Sequence, residues 1–173
     1  MSACRARRAI APIPFALAFA LCVARALAAD ATIELTYDTT MDMVRPMAYP
    51  GVKVHHAMTV TLSAGGQVAE THNLEANGQA DKFAHQATLG GGDPQAYEPV
   101  WHVVSASELV RTQNEAQSTR TITVKLTSPT TCSLEVKVEL KPGFSEFAFR
   151  RIGQRAMGFF TNYRVVDSTC AIH

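Results

Sequence analysis

The chain has 173 residues, of which 47% are hydrophobic, and it carries 16 Lys and Arg against 15 Asp and Glu. This length suits one domain with a substantial hydrophobic core. The nearly balanced charge provides no strong basic field, which excludes a protein that attracts nucleic acid electrostatically.

Residues 1–28 have the composition of a secretory signal peptide. A basic start containing Arg7 and Arg8 precedes a mostly apolar run over residues 10–24, and Ala26-Leu27-Ala28 supplies the small residues of a cleavage site. The apolar run is too short and too interrupted by proline to span a membrane. We expect export by the general secretory route, with twin-arginine export as the alternative. The sequence thus predicts a single β domain over residues 29–173 that is periplasmic or secreted.

Cleavage of residues 1–28 changes both the charge and the cysteine content. The segment holds four arginines and no acid, so the rest of the chain keeps 12 Lys and Arg against 15 Asp and Glu. Cys132 and Cys170 remain, and two cysteines in an oxidising compartment have one way to pair. The sequence predicts a Cys132–Cys170 disulfide, with buried free thiols as the alternative.

The stretch MDMVRPMAYPGVKVHHAM, residues 41–58, combines four methionines with two adjacent histidines. Thioether and imidazole groups suit monovalent and divalent copper, respectively. In composition the stretch resembles small periplasmic copper carriers that are β-sandwiches with clustered Met and His. It therefore suggests a copper site, with core packing as the alternative.

Strand periodicity limits which of these side chains can meet. Residues 52–63 alternate like a strand, so His55 and His56 point to opposite faces, whereas His56 and Met58 share a face about 7 Å apart. Pro46, Pro50 and Gly51 indicate an irregular loop before this strand. The copper hypothesis requires that loop to fold over His56. The copper ligands would be His56, Met58, Met41, Met43 and Met47.

Further strands follow in chain order. Asn77-Gly78 predicts a hairpin because both residues tolerate positive φ. Residues 100–104 are apolar on both faces, which predicts a central strand with Trp101 as a core anchor and His102 as a hydrogen-bonded core residue. Residues 120–127 and 131–141 alternate cleanly. We expect an all-β antiparallel sandwich of eight or nine strands, with a lipocalin-like barrel as the alternative.

The disulfide constrains how the last segments run. A plain meander through residues 131–141, 144–150 and 159–170 would place Cys132 and Cys170 about 30 Å apart, but a disulfide needs Cα atoms within about 7 Å. The first and last segments must therefore run antiparallel to each other. We expect residues 142–158 to go out in a short strand near 144–149 and to return through residues 150–158 by irregular chain or a helical turn.

Residues 144–164 combine phenylalanines with four arginines, Arg150, Arg151, Arg155 and Arg164. Arginines beside aromatic rings can hold anionic groups or a protein partner. In the alternative interpretation, the phenylalanines close one end of the core and the arginines form a solvated surface.

The sequence lacks the standard catalytic signatures, including nucleophile elbows, zinc-binding helices and phosphate loops. We therefore expect a non-catalytic binding or structural module, with a protein, a cell-envelope component or a small molecule as its partner. The alternative is a periplasmic copper-binding protein. No cofactor other than copper is expected.

Overall fold

The computed structural model describes residues 31–91 and 98–173, and within these ranges it contains ten strands. The predicted signal peptide lies outside the described residues. The strands are β1 (Ala31–Arg45), β2 (Tyr49–Leu62), β3 (Gln67–Ala76), β4 (Gln79–Thr88), β5 (Val100–Ser105), β6 (Glu108–Asn114), β7 (Ser118–Leu126), β8 (Cys132–Leu140), β9 (Phe147–Arg150) and β10 (Met157–Ile172).

The strands form two antiparallel sheets. One sheet has six strands in the order β4-β3-β2-β1-β10-β9, and the other has four in the order β5-β6-β7-β8. The predicted antiparallel sandwich is confirmed, with ten strands rather than eight or nine. The six-stranded sheet is curled into a half-barrel, so the fold also has part of the character of the barrel alternative.

Alternating side chains build the core between the sheets. In β1 the odd-numbered residues from Ala31 to Met41 are buried, and in β7 the even-numbered residues from Ser118 to Leu126 are buried. This period of two is what an antiparallel sheet with one wet face requires. Two hydrophobic clusters result, a larger one around Leu35 and Trp101 and a smaller one around Met41 and Phe160.

The turn prediction at Asn77-Gly78 is confirmed. Both residues have positive φ, 53° and 71°, and they connect β3 to β4 in a two-residue hairpin. This turn fixes the register in which His72 lies opposite Phe83.

The disulfide joins the two sheets. Cys132 at the start of β8 is bonded to Cys170 near the end of β10, with 5.2 Å between the Cα atoms. The adjoining bridge between Thr131 and Ala171 is antiparallel, so β8 and β10 run in opposite directions there, as predicted. The intervening chain forms the short strand β9 and returns through an irregular turn, also as predicted.

The prediction of a central strand over residues 100–104 is wrong. β5 is an edge strand of the four-stranded sheet, and Val103 and Val104 are 45% and 61% exposed. Trp101 is completely buried, as predicted, but His102 is exposed rather than part of the core. The apolar run predicted burial on both faces, but Val103 and Val104 lie beyond the part of β5 that the other sheet covers. No helix in the described ranges is long and apolar enough to cross a membrane.

Candidate functional site

A cavity of about 490 Å³ lies between the sheets, bounded by β3 and β4 on one side and by β6, β7 and β9 on the other. Its walls combine apolar side chains with several ionisable ones, and exposed residues at its rim, including Phe83 and Met157, open it to solvent. A second cavity of about 330 Å³ adjoins it and shares Phe149, Arg150 and Ile152 as lining residues. We refer to these as the first and second cavities.

A buried ion pair crosses between the sheets at the inner end of the first cavity. Arg111 Nε and Nη2 on β6 donate hydrogen bonds to Glu70 Oε2 and Oε1 on β3, at 2.8 and 2.9 Å. Trp101 Nε1 donates a third bond to Glu70 Oε2 at 2.9 Å. Burial alone raises the pKa of Glu70, but Arg111 and these hydrogen bonds outweigh it and hold the pKa below its usual value. Glu70 is therefore charged.

Two histidines lie next to this ion pair on the inner face of the six-stranded sheet. His56 Nδ1 on β2 is 3.1 Å from His72 Nε2 on β3, and His56 Nε2 is 3.1 Å from Thr39 Oγ1. The Tyr37 ring stacks on His56, with centroids 4.2 Å apart. Burial first, then neighbouring positive charge, lowers the pKa of His56 to about 2 and that of His72 to about 3. The two imidazoles are thus neutral at physiological pH.

A second buried arginine lines the first cavity. Arg120 on β7 is 7% exposed, and its Nε and Nη2 atoms have no hydrogen-bond partner in the described part of the chain. Its Nη2 is 3.3 Å from Glu115 Oε1, an ion pair without hydrogen-bond geometry. The buried hydroxyls of Tyr37 and Tyr163 are likewise unpartnered within residues 31–91 and 98–173. Burial raises the pKa of Tyr163 to about 12, so this phenol stays protonated.

The two edges of the six-stranded sheet meet at the boundary of the two cavities. Gly153 N, in the connection from β9 to β10, donates to Asp81 Oδ2 on β4 at 3.1 Å, and Arg150 Nε lies 3.8 Å from the same oxygen. The Arg150 guanidinium also lies 5.4 Å from the centroid of the Phe83 ring. Gly153 has φ of 71°, and a Cβ there would meet Gln79 Oε1 at 2.7 Å, so only glycine fits. This contact closes the half-barrel along one side.

The methionines of the copper hypothesis are spread along the sheet. His56 and Met58 are buried on one face, as expected. Met41 and Met43 belong to β1 rather than to a loop, because β1 extends to Arg45, and both line the second cavity. Met47 is 62% exposed. Met41 lies four positions along β1 from Tyr37, the residue opposite His56, which corresponds to about 13 Å of strand.

The remaining histidines are apart from this pair. His55 faces outward and pairs with Asp38, 2.6 Å away, on the exposed side of the sheet. His85 on β4 lines the first cavity, and its buried Nε2 has no hydrogen-bond partner in the described ranges. Among the described residues, no group of three or more His, Cys, Asp and Glu is placed to hold a metal ion.

The four arginines of residues 144–164 do not form one cluster. Arg150, Arg151 and Arg155 lie at the end of β9 and in the connection to β10, and Arg150 and Arg151 both line the second cavity. Arg164 is exposed on β10, seven positions and roughly 20 Å of strand away from Met157. Phe147, Phe149 and Phe160 belong to the smaller hydrophobic cluster, so these rings pack in the core as in the alternative interpretation of this segment.

Sequence reasoning missed the central residues of the cavity, Glu70, His72, Arg111 and Arg120. The sequence did contain a signal. Glu70 and His72 lie between Val68 and Leu74 in a row of residues two apart, which places all four on the same buried face of β3. A charged side chain in phase with a buried apolar row predicts a buried polar group that needs a partner.

Comparisons with known proteins place the chain in no group. No family model matches it, and neither the curated proteins nor the solved structures contain a match.

Proposed function

We propose that the chain is an exported, non-catalytic binding protein that holds a small amphipathic molecule in the first cavity. The observation that carries the proposal is the cavity itself, about 490 Å³, with an apolar wall and a few buried polar groups. Small-molecule sites have volumes of roughly 300 to 1,000 Å³ and this mixture of lining residues. The second cavity gives a longer ligand room to extend past Phe149 and Ile152.

The proposed location is the periplasm or the extracellular space. It is supported by the basic, apolar and small-residue order of residues 1–28 and by the Cys132–Cys170 disulfide, which suits an oxidising compartment. Expression in a bacterial host tests it by intact mass. The periplasmic fraction should contain a chain that begins at Ala29 and lacks two protons at the cysteines. A full-length chain retained in the cytoplasm would contradict export.

The binding proposal can be tested with Nile red, an uncharged apolar dye that fluoresces in dry sites. The wild-type protein should bind it saturably. Replacement of Ile152 by Trp, which narrows both cavities, should weaken binding about tenfold, since one lost apolar side-chain contact is worth about 1 to 3 kcal/mol.

The matched control is Val104→Trp, which adds the same ring at an exposed position on β5 outside both cavities. It should leave dye binding unchanged. Equal loss in both variants, or no saturable binding by the wild type, would contradict the proposal. Native mass spectrometry of the protein exported from its host then identifies the natural ligand by mass.

A second candidate is a monovalent copper site, favoured by the His56–His72 pair. The two facing nitrogens are 3.1 Å apart, close to the roughly 3.2 Å between two ligands that each bond one tetrahedral ion at about 2.0 Å. Met58 lies directly opposite His72 on the neighbouring strand and can supply a thioether. Thr39 holds the other nitrogen of His56, as an outer partner of a metal ligand does.

Titration with monovalent copper under reducing conditions tests this second candidate. We expect one equivalent to raise the melting temperature of the wild type and of a His55→Gln control, whose altered side chain faces outward. His72→Gln should abolish the shift. A wild-type protein whose melting temperature and spectra are unchanged by copper would end this hypothesis.

A further inference from the structure

Two arginines on neighbouring strands line the first cavity, and they differ in their hydrogen-bond partners. This difference indicates the chemical class of the ligand. Arg111 on β6 and Arg120 on β7 are 4% and 7% exposed, and both line this cavity. The Nε–Nη2 edge of Arg111 holds both oxygens of Glu70. This side-on geometry is how a guanidinium recognises a planar carboxylate.

The same edge of Arg120 has no such occupant. Its Nε and Nη2 are buried, and neither donates a hydrogen bond to any residue in the described ranges. Glu115 balances the charge from one side, 3.3 Å from Nη2, but its other oxygen accepts the hydroxyl of Ser118 at 3.1 Å. Burying N–H donors without acceptors is unfavourable, and native proteins leave few of them.

The acids of the cavity wall already have partners. Glu70 accepts from Arg111 and Trp101, Asp81 accepts from Gly153, and Glu115 accepts from Ser118. Glu98 is exposed at the rim. Two lining groups have no hydrogen-bond partner in the described ranges, His85 Nε2, which can donate or accept, and the Nε and Nη2 donors of Arg120. Arg120 is the charged one of the two, and it requires an acceptor from the ligand.

The surroundings of Arg120 fix where the rest of the ligand lies. Its guanidinium is 5.1 Å from the centroid of the Phe149 ring. Phe149 and Ile152 line both cavities, so an apolar surface leads from Arg120 into the second cavity, where Met41 and Phe160 continue it. A cationic head site thus adjoins an apolar channel.

We propose that the ligand is an amphipathic carboxylate, whose oxygens accept hydrogen bonds from the Arg120 guanidinium and whose apolar part extends along Phe149 and Ile152. This inference rests on the proposed function, that is, on binding in the cavity. It adds that the head group is an anion with two coplanar oxygens, as Glu70 is for Arg111.

The test compares decanoate with decanol, which share a chain length and differ in the head group, by calorimetry at neutral pH. Wild-type protein should bind decanoate about tenfold to a hundredfold more tightly than decanol, the range given by charge-assisted hydrogen bonds. Arg120→Gln should remove this preference by weakening decanoate alone. Arg164→Gln, which removes an exposed arginine on β10, should bind both compounds like the wild type.

The outcomes separate the two proposals. Equal binding of decanoate and decanol, or an Arg120→Gln variant that keeps its decanoate preference, overturns the carboxylate inference and leaves cavity binding standing. Failure of the wild type to bind either compound overturns both. Near-ultraviolet circular dichroism checks folding, and if Arg120→Gln does not fold, Arg120→Lys takes its place. It keeps the charge without the paired donors and should lose most of the preference.

Discussion

Arg111 and Arg120 extend from adjacent strands into the same space between the sheets and are buried to a similar extent, yet their surroundings differ. Arg111 has its acceptors within the protein: Glu70 accepts from Nε and Nη2, and Gln113 Oε1 accepts from Nη1 at 3.2 Å. Around Arg120 the chain provides charge balance through Glu115 without hydrogen bonds to the Nε–Nη2 edge from any described residue. The difference separates a closed region, which holds the sheets together, from an open region, where we propose that a ligand binds.

The largest effect is expected from opening the closed region. Arg111→Met leaves Glu70 charged, buried and unpaired, which should lower the free energy of unfolding by about 3 to 5 kcal/mol in urea denaturation. Adding Glu70→Gln, which keeps an acceptor for Trp101, should recover most of this loss. An Arg111→Met variant as stable as the wild type would remove the distinction between the two regions.

The disulfide is a second connection between the sheets, and its removal tests how much of the closed region depends on covalent linkage. Cys132 and Cys170 are separated by 38 residues, so a Cys132→Ser, Cys170→Ser variant should lose about 4 kcal/mol in the chain-entropy model. Reductant should lower the urea midpoint of the wild type toward that of the variant. A wild-type protein whose urea midpoint is the same with and without reductant would contradict this expectation.

Acid should lower the free energy of unfolding through His56 and His72, the histidine pair that lies between the two regions. Because the folded pKa values of His56 and His72 are depressed to about 2 and 3, the unfolded chain takes up protons first as the pH falls below about 6.5. Their contribution is full above that pH and declines toward the folded pKa values, by roughly 2 kcal/mol per histidine between about pH 7 and pH 5.

Urea midpoints at the two pH values measure this loss. His72→Gln should flatten the pH dependence, and His55→Gln, whose ring is exposed, should leave it as in the wild type. A wild type equally stable at both pH values would show that these imidazoles are protonated in the folded state.

The smallest effect is expected in the open region. Arg120→Met removes a buried charge whose Nε–Nη2 donors are unused within the described chain, and Glu115 remains partly solvated. The free energy of unfolding should therefore change by less than about 1.5 kcal/mol, in contrast to Arg111→Met. A loss as large as that of Arg111→Met would assign Arg120 a structural role and weaken the comparison on which the carboxylate inference depends.

The parts of the fold that depend on residues close in sequence could be predicted. Period-two alternation and the Asn77-Gly78 turn predicted strands and a hairpin that the structure contains. The short Cα distance that a Cys132–Cys170 disulfide requires predicted the antiparallel relation of β8 and β10. The prediction of a central strand at 100–104 failed because strand position within a sheet depends on pairing partners, which the apolar run at Val103 and Val104 does not encode.

The candidate site was harder to predict because it is assembled across the sheets. His56 was placed on the correct face from alternation, but its partner His72 lies 16 residues away on β3 and carries no spacing signature. Glu70 and Arg111 are 41 residues apart and meet only when the two sheets pack. Pro46 and Pro50 predicted a loop that includes Met41 and Met43, but β1 extends to Arg45, immediately before the first of these prolines.

The position of β1 has a consequence for folding order. β1 lies inside the six-stranded sheet, with β2 on one side and β10 on the other, so Ile33 pairs with Ile172. Backbone groups on that side of β1 have no strand partner until the last strand has left the ribosome. Such long-range pairing slows folding and exposes an unpaired edge in the interval. Under the export that we propose, this delay would keep the chain unfolded until it has crossed the membrane.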